Sequence, residues 1–239
     1  MYVIKRKSIC LALMLLLLGT FAFSYEKEKL GKKQEIQSTA STPTSSKVVV
    51  IDAGHGVPDE GAQSSNGTTE AETNLKIALK LQNLLEQSGC TVVLTRSDEN
   101  AIYDLDKTTL REKKVSDIRN RVKIGNNASA DLFVSIHLNK IPQQQYWGWQ
   151  CFYNSKNENS IKLAKKIQSN LNESIQKDNK RVVMKLDSVY IMKHVEIPIT
   201  IVECGFLSNP EEEKHLLEDE YQNKLAWGIF NGINEYFNE

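Results

Sequence analysis

Lys47-Val-Val-Val-Ile-Asp-Ala-Gly-His-Gly56 sets the plan of this chain. Val48 to Ile51 form an unbroken β-branched run, the pattern of a strand covered on both faces, as in a parallel sheet with helices above and below. An open α/β sheet places its ligand beyond the carboxyl ends of its strands, and that is where this run delivers His55. Gly54 and Gly56 allow the backbone to turn tightly on either side of the imidazole. A histidine presented this way is a candidate metal ligand or acid-base group; the plainer alternative is a histidine that caps a turn.

Downstream, Val57 to Thr68 reads as a loop, and Thr69-Glu-Ala-Glu72 has the capping-box pattern ahead of apolar residues at helical spacing. The box gives Glu72 a structural duty and leaves Glu70 free to face the loop that carries His55. Gly89 ends this helix, and Cys90 to Thr95 is the next strand. After an irregular loop, Thr109 to Asn126 reads as a basic helix on which Arg119 and Arg121 form a solvated or salt-bridged face. Asp131-Leu-Phe-Val-Ser-Ile-His137 repeats the opening theme, a buried strand ending in a histidine. Neighbouring strands would bring both imidazoles to one edge.

Tyr146 to Tyr153 is an aromatic strand, Ser160 to Ser174 an amphipathic helix, and Met184 to Met192 includes a short strand. Ile199-Thr-Ile-Val202 is a buried strand running into Glu203, a carboxylate that is costly to desolvate unless its charge is used. Two helices close the chain, over 211–217 and 222–237. His194 and His215 read as surface residues, since no strand delivers them.

Upstream, a basic start precedes the apolar run Ile9 to Phe23, which is short for a membrane span and suits an export signal. Residues 1–24 are therefore read as a signal peptide, the alternative being an N-terminal anchor that tethers the protein to the membrane through residues 9–23. Residues 25–46 read as a flexible linker, leaving 47–239 as one catalytic domain. With 30 basic and 30 acidic residues there is no net field to attract nucleic acid. The four cysteines are scattered singly, which argues against a cysteine-only metal site and allows at most one disulfide among the three beyond the apolar run.

His55, Glu70 and His137 form a ligand set of the kind used by hydrolytic zinc sites, which leave the fourth position to water. A further, unligated carboxylate must then take the water's proton and pass it to the leaving nitrogen, and Glu203 is the candidate. Asp52-Ala-Gly-His-Gly56, Glu70 with Asn74-Leu75, Ala130 to Asn139 and Val202-Glu-Cys-Gly-Phe-Leu-Ser-Asn-Pro210 together resemble the zinc-dependent N-acetylmuramoyl-L-alanine amidases. The likeness covers about residues 47 to 237. It implies Zn²⁺ on His55, Glu70 and His137, Glu203 as catalytic carboxylate, and peptidoglycan glycan strands with stem peptides as substrate. The bond cleaved would join the lactyl group of muramic acid to L-alanine. The fold implied is a single α/β domain, a mostly parallel sheet of about six strands with helices on both faces.

Val57 and Leu138 depart from residues frequent in that family, and no wall-binding repeat is attached. The compact plan and the Glu203 motif are similar to germination-specific amidases, which strip stem peptides so that muramic-δ-lactam can form in spore cortex. This implies action in the cell wall or the spore intermembrane space; the sequence identifies no accessory protein. The rival readings are a zinc peptidase acting on peptide ends and a non-catalytic wall-binding protein. The first needs a fixed charge to hold the terminus, and no strand end is expected to deliver an arginine.

Overall fold

The β-branched run forms β1 (Val48–Ala53), in which Val49, Val50 and Ile51 are fully buried. Both faces of such a strand must be covered, and the chain covers them by wrapping helices around a sheet. The computed structural model describes residues 46–239. The segments read as signal or anchor and as linker lie outside the described residues, Ser46 excepted; among those described, no helix is long and apolar enough to cross a membrane.

Five further strands follow: β2 (Thr91–Leu94), β3 (Leu132–Asn139), β4 (Gln150–Tyr153), β5 (Met184–Lys185) and β6 (Ile199–Phe206). Their order across the sheet is β2-β1-β3-β6-β4-β5. β2, β1, β3 and β6 run parallel, β4 is antiparallel to β6, and β5 runs parallel to β4. The helices are α1 (Glu70–Gln87), α2 (Leu110–Asn127), α3 (Glu158–Ile175), α4 (Tyr190–His194), α5 (Pro210–Leu217) and α6 (Asp219–Phe237).

Strand alternation sorts them onto two faces. Val49, Ile51, Val134 and Val202 pack with Ile77 and Leu81 of α1, Ile167 of α3 and Ile229 of α6. Val50, Phe133 and Ile201 pack with Val122 of α2 and Met192 of α4. The mostly parallel six-stranded sheet with helices on both faces is the architecture expected from the sequence.

Three local readings change. β6 continues through Glu203 to Phe206, so this carboxylate sits inside a strand rather than after it. The aromatic strand begins only at Gln150, because Gly148 has φ +98°, a left-handed backbone that interrupts extension. At the start of α1 the cap is half formed: Thr69 accepts from the Glu72 N–H at 3.4 Å, but the Glu72 carboxylate pairs with Lys76 at 2.7 Å. The complete box belongs instead to Thr109 and Glu112 at the start of α2. Cys90, Cys151 and Cys204 are all free thiols, the last two fully buried in the larger core layer.

Candidate metal centre

The candidate residues reach the carboxyl edge of the sheet on separate elements. His55 stands two residues beyond β1 in a left-handed conformation, φ +64°, that a non-glycine residue adopts only when its surroundings impose it. Two buried arginines impose it. Arg96 donates to the carbonyls of Ala53 (2.8 Å), Gly54 (3.1 Å) and Ala71 (2.8 Å). Arg121 donates to the carbonyls of Ala53 (2.7 Å) and His55 (2.5 Å) while pairing with Asp52 and Asp117, both at 2.7 Å.

These contacts revise two expectations. A strand end does deliver an arginine, since Arg96 follows β2 closely, but its donors are committed to backbone carbonyls. Arg121 is salt-bridged as expected, yet it is 1% exposed and lies beneath the site, whereas Arg119 is exposed.

Glu70, the first residue of α1, is buried and stands between the two histidines. Its Oε1 accepts from the Leu138 N–H at 3.0 Å and lies 2.9 Å from His137 Nδ1. Its Oε2 accepts from the Ala62 N–H at 2.8 Å and lies 3.3 Å from His55 Nε2. The imidazoles meet edge to face with centroids 5.1 Å apart. One ligand atom from each of His55, Glu70 and His137 lies within 4.8 Å of the other two.

His137, within β3, is in register with Glu203 of β6, so the carboxylate lies one strand from the cluster. Glu203 Oε2 is shut off from solvent and has no hydrogen-bond partner among the described residues. The glycine before His55 serves space rather than turning: a Cβ on Gly54 would sit 2.3 Å from His137 Cε1. Leu138 is buried in the core, and its N–H donates to Glu70. His194 is stacked on Tyr190 and exposed, and His215 pairs with Glu218; both are surface residues away from the cluster.

Asp59 was not singled out by sequence. Its Oδ2 lies 3.2 Å from His55 Nδ1, and its Oδ1 pairs with Lys114 at 2.8 Å. The available signal was a carboxylate four residues after a histidine in a Pro/Gly turn. A carboxylate on the far nitrogen of a ligand histidine fixes its tautomer and raises its basicity. Asp59→Ala is expected to weaken zinc binding roughly 10- to 100-fold, read by competition with a chromophoric chelator.

Burial disfavours the charged form of His55, but its hydrogen bonds with Asp59 and Glu70 prevail and lift its pKa to about 9. Burial would also raise Asp59 and Glu70; the facing imidazoles, and Lys114 for Asp59, instead pull Asp59 down to about 2 and Glu70 well below the carboxylate range. Glu203 moves the opposite way, pushed by burial up to about 7. Two imidazoles and a carboxylate make the donor set of a hydrolytic zinc site, and their ligand atoms, all within 4.8 Å of one another, are gathered on the scale of the roughly 3.5 Å that separates ligands of a tetrahedral ion with bonds of about 2.1 Å. The residues fit zinc.

The family profile described as N-acetylmuramoyl-L-alanine amidase matches residues 49–235. The germination-specific N-acetylmuramoyl-L-alanine amidase of Bacillus subtilis (strain 168) is 36% identical over 199 residues, covering 83% of this chain and 83% of that protein. The CwlD amidase of Clostridioides difficile, solved in complex with the GerS lipoprotein, superposes with a TM-score of 0.78 at 42% identity, covering 80% of this chain and 98% of that one. The catalytic domain of CwlV, an amidase of Bacillus (Paenibacillus) polymyxa var. colistinus, gives 0.68 at 33% identity, covering 80% and 98%.

Proposed function

Because the chain belongs to the N-acetylmuramoyl-L-alanine amidases, enzymes of peptidoglycan, we propose that it hydrolyses the amide between the lactyl group and L-alanine with zinc on His55, Glu70 and His137. The observation that carries this reading is the convergence of those three donors beside the unpartnered Glu203 oxygen. Zinc, when bound, supplies a Lewis acid that acidifies water and offsets negative charge on the amide oxygen.

The chain's own residues do the rest. Arg96 and Arg121 hold the carbonyls under His55, so the imidazole is aimed before substrate arrives. Glu203 takes the attacking water's proton and returns it to the departing alanine nitrogen. A pKa of about 7 without a metal suits that exchange, and a nearby cation would draw it lower, favouring the accepting form at neutral pH. Were Glu203 a fourth ligand, no position would remain for water.

Metal binding needs neutral imidazole, whereas His55 holds its proton up to about pH 9. Apparent zinc affinity should therefore rise at least about tenfold per pH unit between roughly pH 6 and 8, with one proton released from His55 per ion and a further fraction from Glu203 as the ion draws its pKa below about 7. Calorimetry in buffers of different ionisation enthalpy measures that release.

The germination-specific relative supports a finer role, removal of stem peptides so that muramic-δ-lactam can form in spore cortex. The solved complex of CwlD with a lipoprotein supports an accessory lipoprotein partner for this chain as well. Residues 1–24 would then export or tether it, with 25–46 as linker. Mass analysis of muropeptides after incubation with zinc-loaded protein tests the chemistry: free stem peptides and peptide-free muramic acid are expected, and intact muramoyl-peptides would refute it.

A further inference from the structure

A second cleft, of about 560 Å³, is lined by Tyr146, Trp147, Asn179 and Arg181. It opens at the same sheet edge as the metal centre. Since β4 is antiparallel to β6, its first residue, Gln150, stands opposite Glu203 with its side chain on the same face. Gln150 is buried; its Oε1 accepts from Arg181 Nη1 at 3.1 Å and its Nε2 donates to the Val182 carbonyl at 2.8 Å. Arg181 Nε donates to the Trp147 carbonyl at 3.0 Å, and the guanidinium lies 4.4 Å from the Phe206 ring centroid and 6.0 Å from that of Tyr146.

The cleft also holds one acid, Asp178, but its partner is Lys180, at 3.9 Å, and not Arg181. The buried Arg121 closes on Asp52 and Asp117, but Arg181 forms no salt bridge among the described residues, and its Nη2 donates no hydrogen bond there. Glu212, whose charge it feels, has its two oxygens on the N–H groups of Gly148 and Phe206, each at 2.7 Å. Lys177, over the Trp147 ring at 4.1 Å, adds to the positive charge. A guanidinium oriented by two hydrogen bonds and a ring, with donors to spare, suits a planar anion.

The geometry points to Arg181 as the receiver of a carboxylate on the departing peptide. The inference rests on the amidase reading, in which the alanine nitrogen leaves at Glu203. One strand spacing of about 4.8 Å and the reach of Gln150 put the guanidinium on the order of 10 Å from Glu203; less a hydrogen-bond length of about 3 Å at each end, that leaves roughly the reach from the alanine nitrogen to a carboxylate on the next residue. The favoured substrate class is therefore stem peptides with a free carboxylate, rather than a carboxamide, on the residue after L-alanine.

The test uses N-acetylmuramoyl-L-alanyl peptides that differ only in a carboxylate or primary amide on that residue. Calorimetry follows binding of the corresponding free peptides to the full chain, and kcat and KM are measured on the zinc-loaded enzyme. The acid is expected to be favoured roughly 10-fold or more in affinity and in KM, the scale of a charge-assisted hydrogen bond. Arg181→Gln should raise the acid's KM to that of the amide, and Arg181→Lys, which keeps charge but not the fork, should retain part of the preference. The lysine variant carries the test if the glutamine variant fails to fold. An indifferent parent enzyme, or a full preference kept by Arg181→Gln, would overturn the assignment. Calorimetric preference without cleavage of either substrate would sink the amidase reading and leave the carboxylate site standing; cleavage without preference does the reverse.

Discussion

Glu203→Gln is expected to remain folded and zinc-loaded while amide cleavage falls by roughly 10² or more, the usual scale of a lost general acid-base group. Glutamine keeps the shape and cannot exchange the proton. The competing role, a structural hydrogen bond to the loop after β6, is already filled by Glu212, which accepts from the Phe206 N–H at 2.7 Å. Glu203 Oε2 makes no such bond, so its removal should cost little stability. Zinc content, melting temperature and cleavage, measured on one preparation, decide the matter: near-normal turnover by a zinc-loaded mutant would falsify the proton-transfer role.

Arg121→Ala should give the largest loss of stability, about 3–5 kcal/mol, because it strands a buried Asp52 carboxylate rather than removing a balanced pair. Asp52 would keep Thr95 and Ser135, at 2.7 and 2.6 Å, but lose the cation that holds its pKa down against burial. At 2–4 °C per kcal/mol the melting temperature should drop by roughly 6–20 °C. Arg119→Ala, on the exposed side of the same helix, should stay within about 0.5 kcal/mol. Equal shifts for the two variants would refute the buried-clamp account.

Those two arginines also show where sequence reading stops. The pattern of α2 located the helix to within a residue or two, yet its charge-rich face does not mark which arginine turns inward, since the deciding acid, Asp52, lies 69 positions away. Strand ends and their histidines were legible because a buried run of β-branched residues has one usable end. Glu70 was legible by contrast with Glu72, although the reason given was only half right: Glu72 is free of the site because Lys76 takes it, not because it caps the helix. Asp59 and Arg181 were missed for a common reason. Each lies in an irregular segment with no periodicity to say where a side chain points, and only tertiary contact reveals its neighbour.

The two thiols sealed in the sheet, Cys151 on β4 and Cys204 on β6, have a practical consequence for kinetics. Burial raises both thiol pKa values, and only thiolate reacts, so neither should be alkylated until its strand is exposed by a fluctuation. Their alkylation rates are thus an unengineered record of how often the centre of the sheet opens. Zinc that binds the closed form alone would slow that record by the factor 1 + [Zn]/Kd, turning two inert side chains into a reporter of metal occupancy.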